Sequence, residues 1–401
     1  MMNDVYLILY HRISVIRNLK GEAMTALELY VHIPFCVRKC AYCDFPSGPP
    51  GGEAAVAAYF DALLAEIAAC PDGGMGEVTT VYFGGGTPSF VAAEWIQKVL
   101  AALGEKFHFD PRGDALEKTI EVNPASALDS KLRAYRAMGF NRLSIGCQAA
   151  QDRLLAILGR PHTFADFLVT YDHAVEAGFT NISADLMAGL PGQTLADMDD
   201  SLGAILDLPA IRHLSAYSLI VEPGTPFARR QARGELPLPG EDTERAMVHR
   251  IKERTGERGM VQYEISNCAY PGFESRHNTG YWILTPYRGF GLGAASFDGA
   301  RRYTNTRSMA EYLAAPGRAL SENHTLPEDE LRGDFMFLGL RRLAGVADGD
   351  YRRRFGRSFF DDYGSAIARL KDEGLVMVQG ETLGLTDRGL DLANQVFVEF
   401  V

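Results

Sequence analysis

Apolar residues recur along this chain in two alternating rhythms. Short apolar runs at 27–33, 78–83, 119–122, 142–145, 182–187 and 213–219 read as buried strands. Stretches of helical period lie between them. Residues 54–69 place Val56, Tyr59, Phe60, Leu63, Leu64 and Ile67 near helical spacing, and 92–103 continue the pattern. Strands alternating with helices over 27–220 predict a parallel sheet with helices outside it, in about six βα units. The periodicity admits either a partial barrel or an open doubly wound sheet.

The rhythm changes near Pro223. Leu236-Pro-Leu-Pro-Gly240 is a turn-rich boundary. A charged helix at 241–257, a strand at 261–265 and a stretch rich in glycine and aromatics to 303 follow. Beyond Pro327 the pattern predicts helices at 328–343 and 365–373, a hairpin at 375–385 and a last helix at 387–400. Helices followed by a hairpin predict a small winged-helix-like unit. Its charge pattern carries no phosphate footprint, so a packing role is expected. The chain thus divides into 1–26, 27–222, 223–325 and 326–401, with Pro46-Ser-Gly-Pro-Pro-Gly-Gly52 as its flexible-looking insert.

Residues 1–23 carry no cap, no amphipathic period and no place in the strand pattern, while Met24 stands just before the first strand. Lys20-Gly-Glu22 is compatible with a purine-rich ribosome-binding sequence. Translation from Met24 is therefore expected, with 1–23 a non-native or disordered extension.

Composition narrows the function. Hydrophobic residues make up 47% of 401 and charged residues 23%, enough to bury a core. A net charge of −11 argues against a nucleic-acid partner held by a broad basic surface. Six cysteines are too few for a disulfide framework, and three lie together, which points to metal or redox chemistry. The early apolar run 5–10 ends at His11 and Arg12, far short of the ~20 residues of a membrane span. No secretory leader is expected either, so the reading is cytoplasmic with no integral membrane segment.

The strongest chemical signal is Cys36-Val-Arg-Lys-Cys40-Ala-Tyr-Cys43. Thiolates are soft ligands, suited to iron–sulfur clusters or zinc. Three on one loop can hold three irons of a [4Fe–4S] cube and leave the fourth open to a ligand. The alternative is structural zinc, with His32 or Asp44 as fourth ligand, although no second paired motif is present. Gly84-Gly-Gly-Thr-Pro88 lets backbone approach a ligand and lacks the lysine of a phosphate loop. Glu121, Gln148 and Asp185 fall at strand ends, where α/β barrels bind ligands, and Arg160 could pair with a carboxylate. Cys70, Cys147 and Cys268 are scattered and read as small buried hydrophobes.

Tyr30-Val-His-Ile-Pro-Phe-Cys36, continued by Cys40-Ala-Tyr-Cys43, resembles the opening of radical S-adenosylmethionine (SAM) proteins. The branch is that of oxygen-independent coproporphyrinogen III oxidase and the HemW-like haem chaperones. Gly84-Gly-Gly-Thr-Pro88, Glu121-Val-Asn-Pro124, Ser144-Ile-Gly-Cys-Gln148, Leu158-Gly-Arg160-Pro-His162 and Asp185-Leu-Met-Ala-Gly-Leu-Pro191 follow in the family's order. The resemblance implies a partial (β/α)6 TIM-like barrel with a C-terminal helical, winged-helix-like domain. It implies a [4Fe–4S] cluster on Cys36, Cys40 and Cys43, with SAM chelating the open iron and, after electron transfer, cleavable to a deoxyadenosyl radical. It also implies SAM contacts at Tyr30, Tyr42, Gly85, Gly86, Thr87, Glu121, Gln148, Arg160 and Asp185.

The oxidase branch carries a further cysteine two residues after the third, and Phe45 stands there in this chain. Phe45, Tyr263-Glu-Ile-Ser266 and Arg276-His277-Asn278-Thr-Gly-Tyr281-Trp282 resemble the chaperone branch. That implies haem as cargo, with His277, Tyr281 and Trp282 at the haem. Its partners are then haem-acceptor proteins, respiratory ones among them, and an electron donor. No catalytic residue is assigned. Two positions depart from the pattern: Ala149, where relatives carry serine, and Ala295, where they often carry histidine. The alternative is the oxidase itself, a SAM-dependent radical decarboxylase of coproporphyrinogen III. A third class is a radical SAM methyltransferase or other tailoring enzyme.

Overall fold

Six strand–helix units open the chain in the computed structural model, which describes residues 26–71 and 76–401. The Met24 start and the rest of 1–25 lie outside the described residues. The strands are β1 (Ala26–Ile33), β2 (Glu77–Gly85), β3 (Glu117–Val122), β4 (Arg142–Gln148), β5 (Ile182–Ala188) and β6 (Ile211–Ser218). The helices between them are α1 (Glu53–Ala69), α2 (Ala93–Phe107), α3 (Asp129–Met138), α4 (Asp152–Leu158), α5 (Phe164–Glu176) and α6 (Leu195–Leu206). The six strands pair in parallel and in sequence order. A doubly wound sheet would reverse its order at a switch point; this one does not, so the winding is that of a partial barrel.

The barrel stays open. After α7 (Pro226–Ala232) and α8 (Glu241–Glu257) come the short strands β7 (Val261–Glu264) and β8 (Asn267–Ala269); β8 pairs antiparallel with β6, and β7 antiparallel with β8. Helix α9 (Arg276–Trp282) then leads to β9 (Tyr287–Phe290), which pairs in parallel with the free side of β1. Strands β10 (Ala295–Phe297), β11 (Arg301–Asn305) and, after α10 (Met309–Ala314), β12 (Leu320–Thr325) extend that edge antiparallel. The sequence pattern assigned no strands to this glycine-rich stretch.

Each barrel strand alternates. Leu27, Leu29, Val31 and Ile33 are fully buried in one core with Val81, Phe83, Ile120, Leu143 and Ile145. The residues between them, Glu28, Tyr30 and His32 on β1, turn to the opposite face, the lumen. Thr80 and Tyr82, Thr119 and Glu121, Ser144 and Asp185 share that face. The lumen is thus polar, while the outer face packs on helices. Thr163 with Asp166 and Thr194 with Asp197 form capping boxes on α5 and α6, each worth about 1 kcal/mol.

A second core holds the C-terminal helices and hairpin. It joins Met336, Leu340, Tyr351, Phe359, Leu383 and Val396 from α11 (Glu328–Gly339), α12 (Asp348–Phe355), α13 (Phe359–Asp372), α14 (Asp387–Asp391), α15 (Ala393–Phe397) and the sheet of β13 (Val346–Ala347), β14 (Val376–Gln379) and β15 (Thr382–Leu385). Helix α11 stops earlier than its apolar pattern predicts. The chain there leaves the helix to pair with the barrel extension, Ile265 N–H donating to Arg341 C=O and Leu343 N–H to Tyr263 C=O. Helix α13 starts earlier than predicted, at Phe359 behind an N-cap from Ser358. The last predicted helix is broken at Leu392 into α14 and α15.

Candidate cluster and cofactor site

The loop after β1 is clamped at both ends. Cys36 N–H donates to Gly48 C=O (3.0 Å), and Gly48 N–H to Pro34 C=O (2.9 Å). Arg38 reaches across to the carbonyls of Gly159 (2.7 Å) and Arg160 (2.6 Å), and Ala41 N–H donates to Leu158 C=O (2.9 Å). Cys36, Cys40 and Cys43 are therefore held against the end of α4. All three thiols are free and half-buried. Thr87 Oγ1 donates to Cys36 Sγ (3.5 Å), Arg160 Nη1 stands 3.9 Å from Cys40 Sγ, and Ser47 Oγ lies 4.0 Å from Cys43 Sγ.

Burial pushes the Cys36 and Cys43 thiols up, and the neighbouring Cys40 pushes both further. A bound cation reverses that cost by taking the thiolates as ligands. Three clustered soft donors, one beside a guanidinium, fit an iron–sulfur centre. Among the described residues no three His, Cys, Asp or Glu side chains converge as they would on a single metal ion. Of the zinc alternative's fourth ligands, His32 shares a hydrogen bond with Tyr30 OH at Nδ1 (3.1 Å), and Asp44 pairs with Arg307 (3.1 Å).

The glycine turn after β2 is packed from three sides. A methyl at Gly84 would sit 2.9 Å from Glu121 Oε1; at Gly86, 2.7 Å from Ile33 C=O. Gly85 has φ +105° and lies against the His32 ring. This bare backbone borders the half-buried Glu121 carboxylate, and a second half-buried carboxylate, Asp185 on β5, acts on Glu121. Glu121 accepts from Tyr82 OH (2.8 Å) and Gly85 N–H (3.2 Å), and burial raises it to about 7. Asp185 accepts from Ser144 OH (2.9 Å), and burial raises it to about 6.

On the Asp185 side, a register shift in β4 between Gly146 and Gln148 accompanies Gln148 at φ +71°. Its Oε1 accepts from Tyr217 OH (3.1 Å). Arg160 donates to Gly146 C=O (2.9 Å), while its buried Nε has no partner. An orphaned guanidinium donor fits a ligand carboxylate. Tyr42 is half-buried beside Arg160, and Tyr30 stacks on Tyr82 at 6.2 Å. The structure thus gathers Tyr30, Gly85, Gly86, Thr87 and Glu121 on one side of the lumen and Tyr42, Gln148, Arg160 and Asp185 on the other, above the cysteine loop's base.

His277 lies elsewhere. Helix α9 folds under the barrel, where His277 N–H and Arg276 N–H donate to the Glu117 carboxylate (3.2 and 3.0 Å) at the start of β3. Glu117 precedes Glu121 by four residues, about 13 Å of strand. The His277 ring is 1% exposed, with Nδ1 on Thr80 Oγ1 (2.6 Å) and Nε2 on Tyr281 OH (2.9 Å). Burial, and then the charge of Arg142, lower it to about 3, so the imidazole is neutral. A methyl at Gly280 would collide with the Glu28 carboxylate, which explains the glycine inside this motif. Trp282 is half-buried under the Arg341 guanidinium, 4.3 Å from the ring.

Two lumen residues escaped the sequence reading. Arg142 is 2% exposed with its Nε unpartnered, and Tyr82 bridges Glu121 and His277. The signal for both is period-two alternation of polar residues within apolar runs. Cys70, Cys147 and Cys268 are buried, as the sequence suggested.

Residues 30–205 match the family model described as Radical SAM superfamily, and 326–392 that of the HemN C-terminal domain. The chain is 37% identical to "Heme chaperone HemW" of Bacillus subtilis (strain 168) over 380 residues, 93% of this chain and 98% of that one. It is 35% identical to the protein of the same description in Lactococcus lactis subsp. lactis (strain IL1403), over 93% of this chain and 96% of that one. The chain belongs to the HemW family of radical SAM proteins. That superfamily implies a [4Fe–4S] cluster and SAM. This chain shares its fold with the solved coproporphyrinogen III oxidase (HemN) from Escherichia coli, which it matches at TM-score 0.81 and 24% identity over 94% of this chain and 90% of that one. Among the described residues no helix is long and apolar enough to cross a membrane.

Proposed function

We propose that the chain is a cytoplasmic haem chaperone that holds a [4Fe–4S] cluster and SAM at the barrel mouth and delivers haem to haem-requiring proteins, respiratory ones among them. The observation that carries this reading is the cysteine loop: three free, half-buried thiols, followed by Phe45, 60% exposed, in place of a fourth thiol. Cluster and SAM, when bound, supply one-electron redox chemistry fed by a donor protein. Cys36, Cys40 and Cys43 hold three irons and leave one open, and Thr87 steadies the Cys36 sulfur. Glu121 and Asp185 accept from the amino group and ribose of SAM, Gln148 meets the ribose, and Arg160 Nε meets the carboxylate. Gly85 and Gly86 offer backbone edges, and Tyr30 and Tyr42 wall the site.

Haem meets the α9 segment through His277, Tyr281 and Trp282. In the arrangement described, both His277 nitrogens are hydrogen-bonded, so iron coordination at Nε2 requires the Tyr281 hydroxyl to leave. Haem capture therefore includes an opening of α9 from the barrel base. The test against the oxidase alternative is product analysis. Anaerobic protein with cluster, SAM, reductant and coproporphyrinogen III leaves that substrate unchanged; formation of protoporphyrinogen IX would replace the chaperone reading with the oxidase.

A further inference from the structure

We propose that Tyr82 is a positioning residue that couples haem capture at α9 to SAM binding at Glu121. The proposal rests on the haem reading above.

Tyr82 belongs to both ends of the lumen. Its hydroxyl donates to Glu121 Oε1 at 2.8 Å, on the SAM side. One face of its ring stacks on His277, with centroids 5.0 Å apart and planes at 21°. The ring also stacks on Tyr30 at 6.2 Å and 26°. Three aromatic rings therefore form one stack, from His277 at the base to Tyr82 and on to Tyr30, the register partner of Tyr82 on β1. The column has little slack: Gly84 backs onto both Tyr82 and Glu121, so closely that a methyl there would stand 2.9 Å from each. At the base, His277 is fixed to Thr80, two residues from Tyr82 on the same strand and face.

Coordination of iron by His277 Nε2 takes that nitrogen from Tyr281 OH and turns the imidazole away from the Tyr82 face. Tyr82 then loses the surface that sets its ring, and its hydroxyl no longer holds Glu121 Oε1. A carboxylate that loses the hydrogen bond fixing its orientation is a poorer partner for the SAM amino group. Haem therefore weakens SAM binding. By linkage, SAM weakens haem binding by the same factor.

The experiment is a SAM titration of the cluster-loaded full chain, with and without haem, in wild type and in Tyr82→Phe. That variant keeps the ring and its stacking and removes only the hydroxyl. In wild type, haem is expected to raise the SAM Kd roughly five- to twentyfold. In Tyr82→Phe the haem-free Kd is already raised, and haem changes it by less than about twofold. The reciprocal haem titration at the Soret band gives the same factors. A second variant, Tyr281→Phe, frees Nε2 without haem and moves the haem-free SAM Kd toward the haem-loaded value. Haem that binds without changing the SAM Kd, or that changes it equally in wild type and Tyr82→Phe, overturns the coupling and leaves the haem reading intact. An unmoved SAM Kd in Tyr281→Phe also counts against it. If wild type shows no Soret-detected binding at all, the haem reading fails and the coupling with it.

Discussion

Replacing Cys36, Cys40 and Cys43 with alanine is expected to abolish iron–sulfur cluster binding, whereas the same change at Cys70, Cys147 and Cys268 is expected to leave it in place. The difference lies in where each thiol sits. The first three share one clamped loop, half-buried, with Arg160 beside Cys40. The other three are buried at distant points of the fold, and burial drives the Cys147 and Cys268 thiols further from ionisation, Cys268 to about 11. Iron and sulfide content of anaerobically reconstituted protein reads the result. In the reduced wild type, addition of SAM changes the electron paramagnetic resonance signal, because one iron lacks a protein thiolate. A cluster in the triple-alanine variant, zinc as the metal bound, or a signal blind to SAM contradicts the assignment.

SAM affinity is expected to fall as the pH drops through about 7, where Glu121 takes up a proton. Burial raises the Glu121 carboxyl to that value, Asp185 adds to the rise, and Tyr82, Gly85 N–H and Arg142 oppose it. Tyr30, Tyr217 and Tyr281 also face it and stay neutral phenols. Below that pH the ligand-free site holds a proton on Glu121. A cationic ligand needs the carboxylate, so binding expels the proton and affinity falls up to tenfold per pH unit. Stability of the ligand-free protein runs the other way. A carboxyl raised in the folded state contributes stability at low pH that is lost as the pH rises through its folded value. Titration calorimetry in buffers of different ionisation enthalpy counts the proton released. Glu121→Gln is expected to weaken SAM at least about tenfold and to flatten the pH profile. A wild-type affinity unchanged between about pH 6 and 8 contradicts the role of Glu121.

The parts of this account legible in the sequence are local ones. The cysteine spacing, the glycine turn and the strand–helix rhythm each depend on neighbours a few residues away. The lumen is hidden because runs such as Leu27-Glu-Leu-Tyr-Val-His-Ile33 read simply as buried strands. Their alternation puts Leu27 and Leu29 against helices and Glu28 and Tyr30 inside. His277 was beyond reach for a different reason. Its partners Thr80 and Glu117 are 197 and 160 residues away, and no local pattern says that α9 folds beneath the barrel. Strands β9 to β12 went unseen because they are short and separated by glycines.

The central claim is that this fold carries haem, and a haem titration tests it most directly. Cluster-loaded protein is titrated anaerobically with haem and followed at the Soret band. The account predicts saturation at one haem per chain, and loss of that band in a His277→Ala variant that keeps its cluster and its circular dichroism. A wild type that never saturates, or a folded His277→Ala variant that binds haem as wild type does, contradicts it.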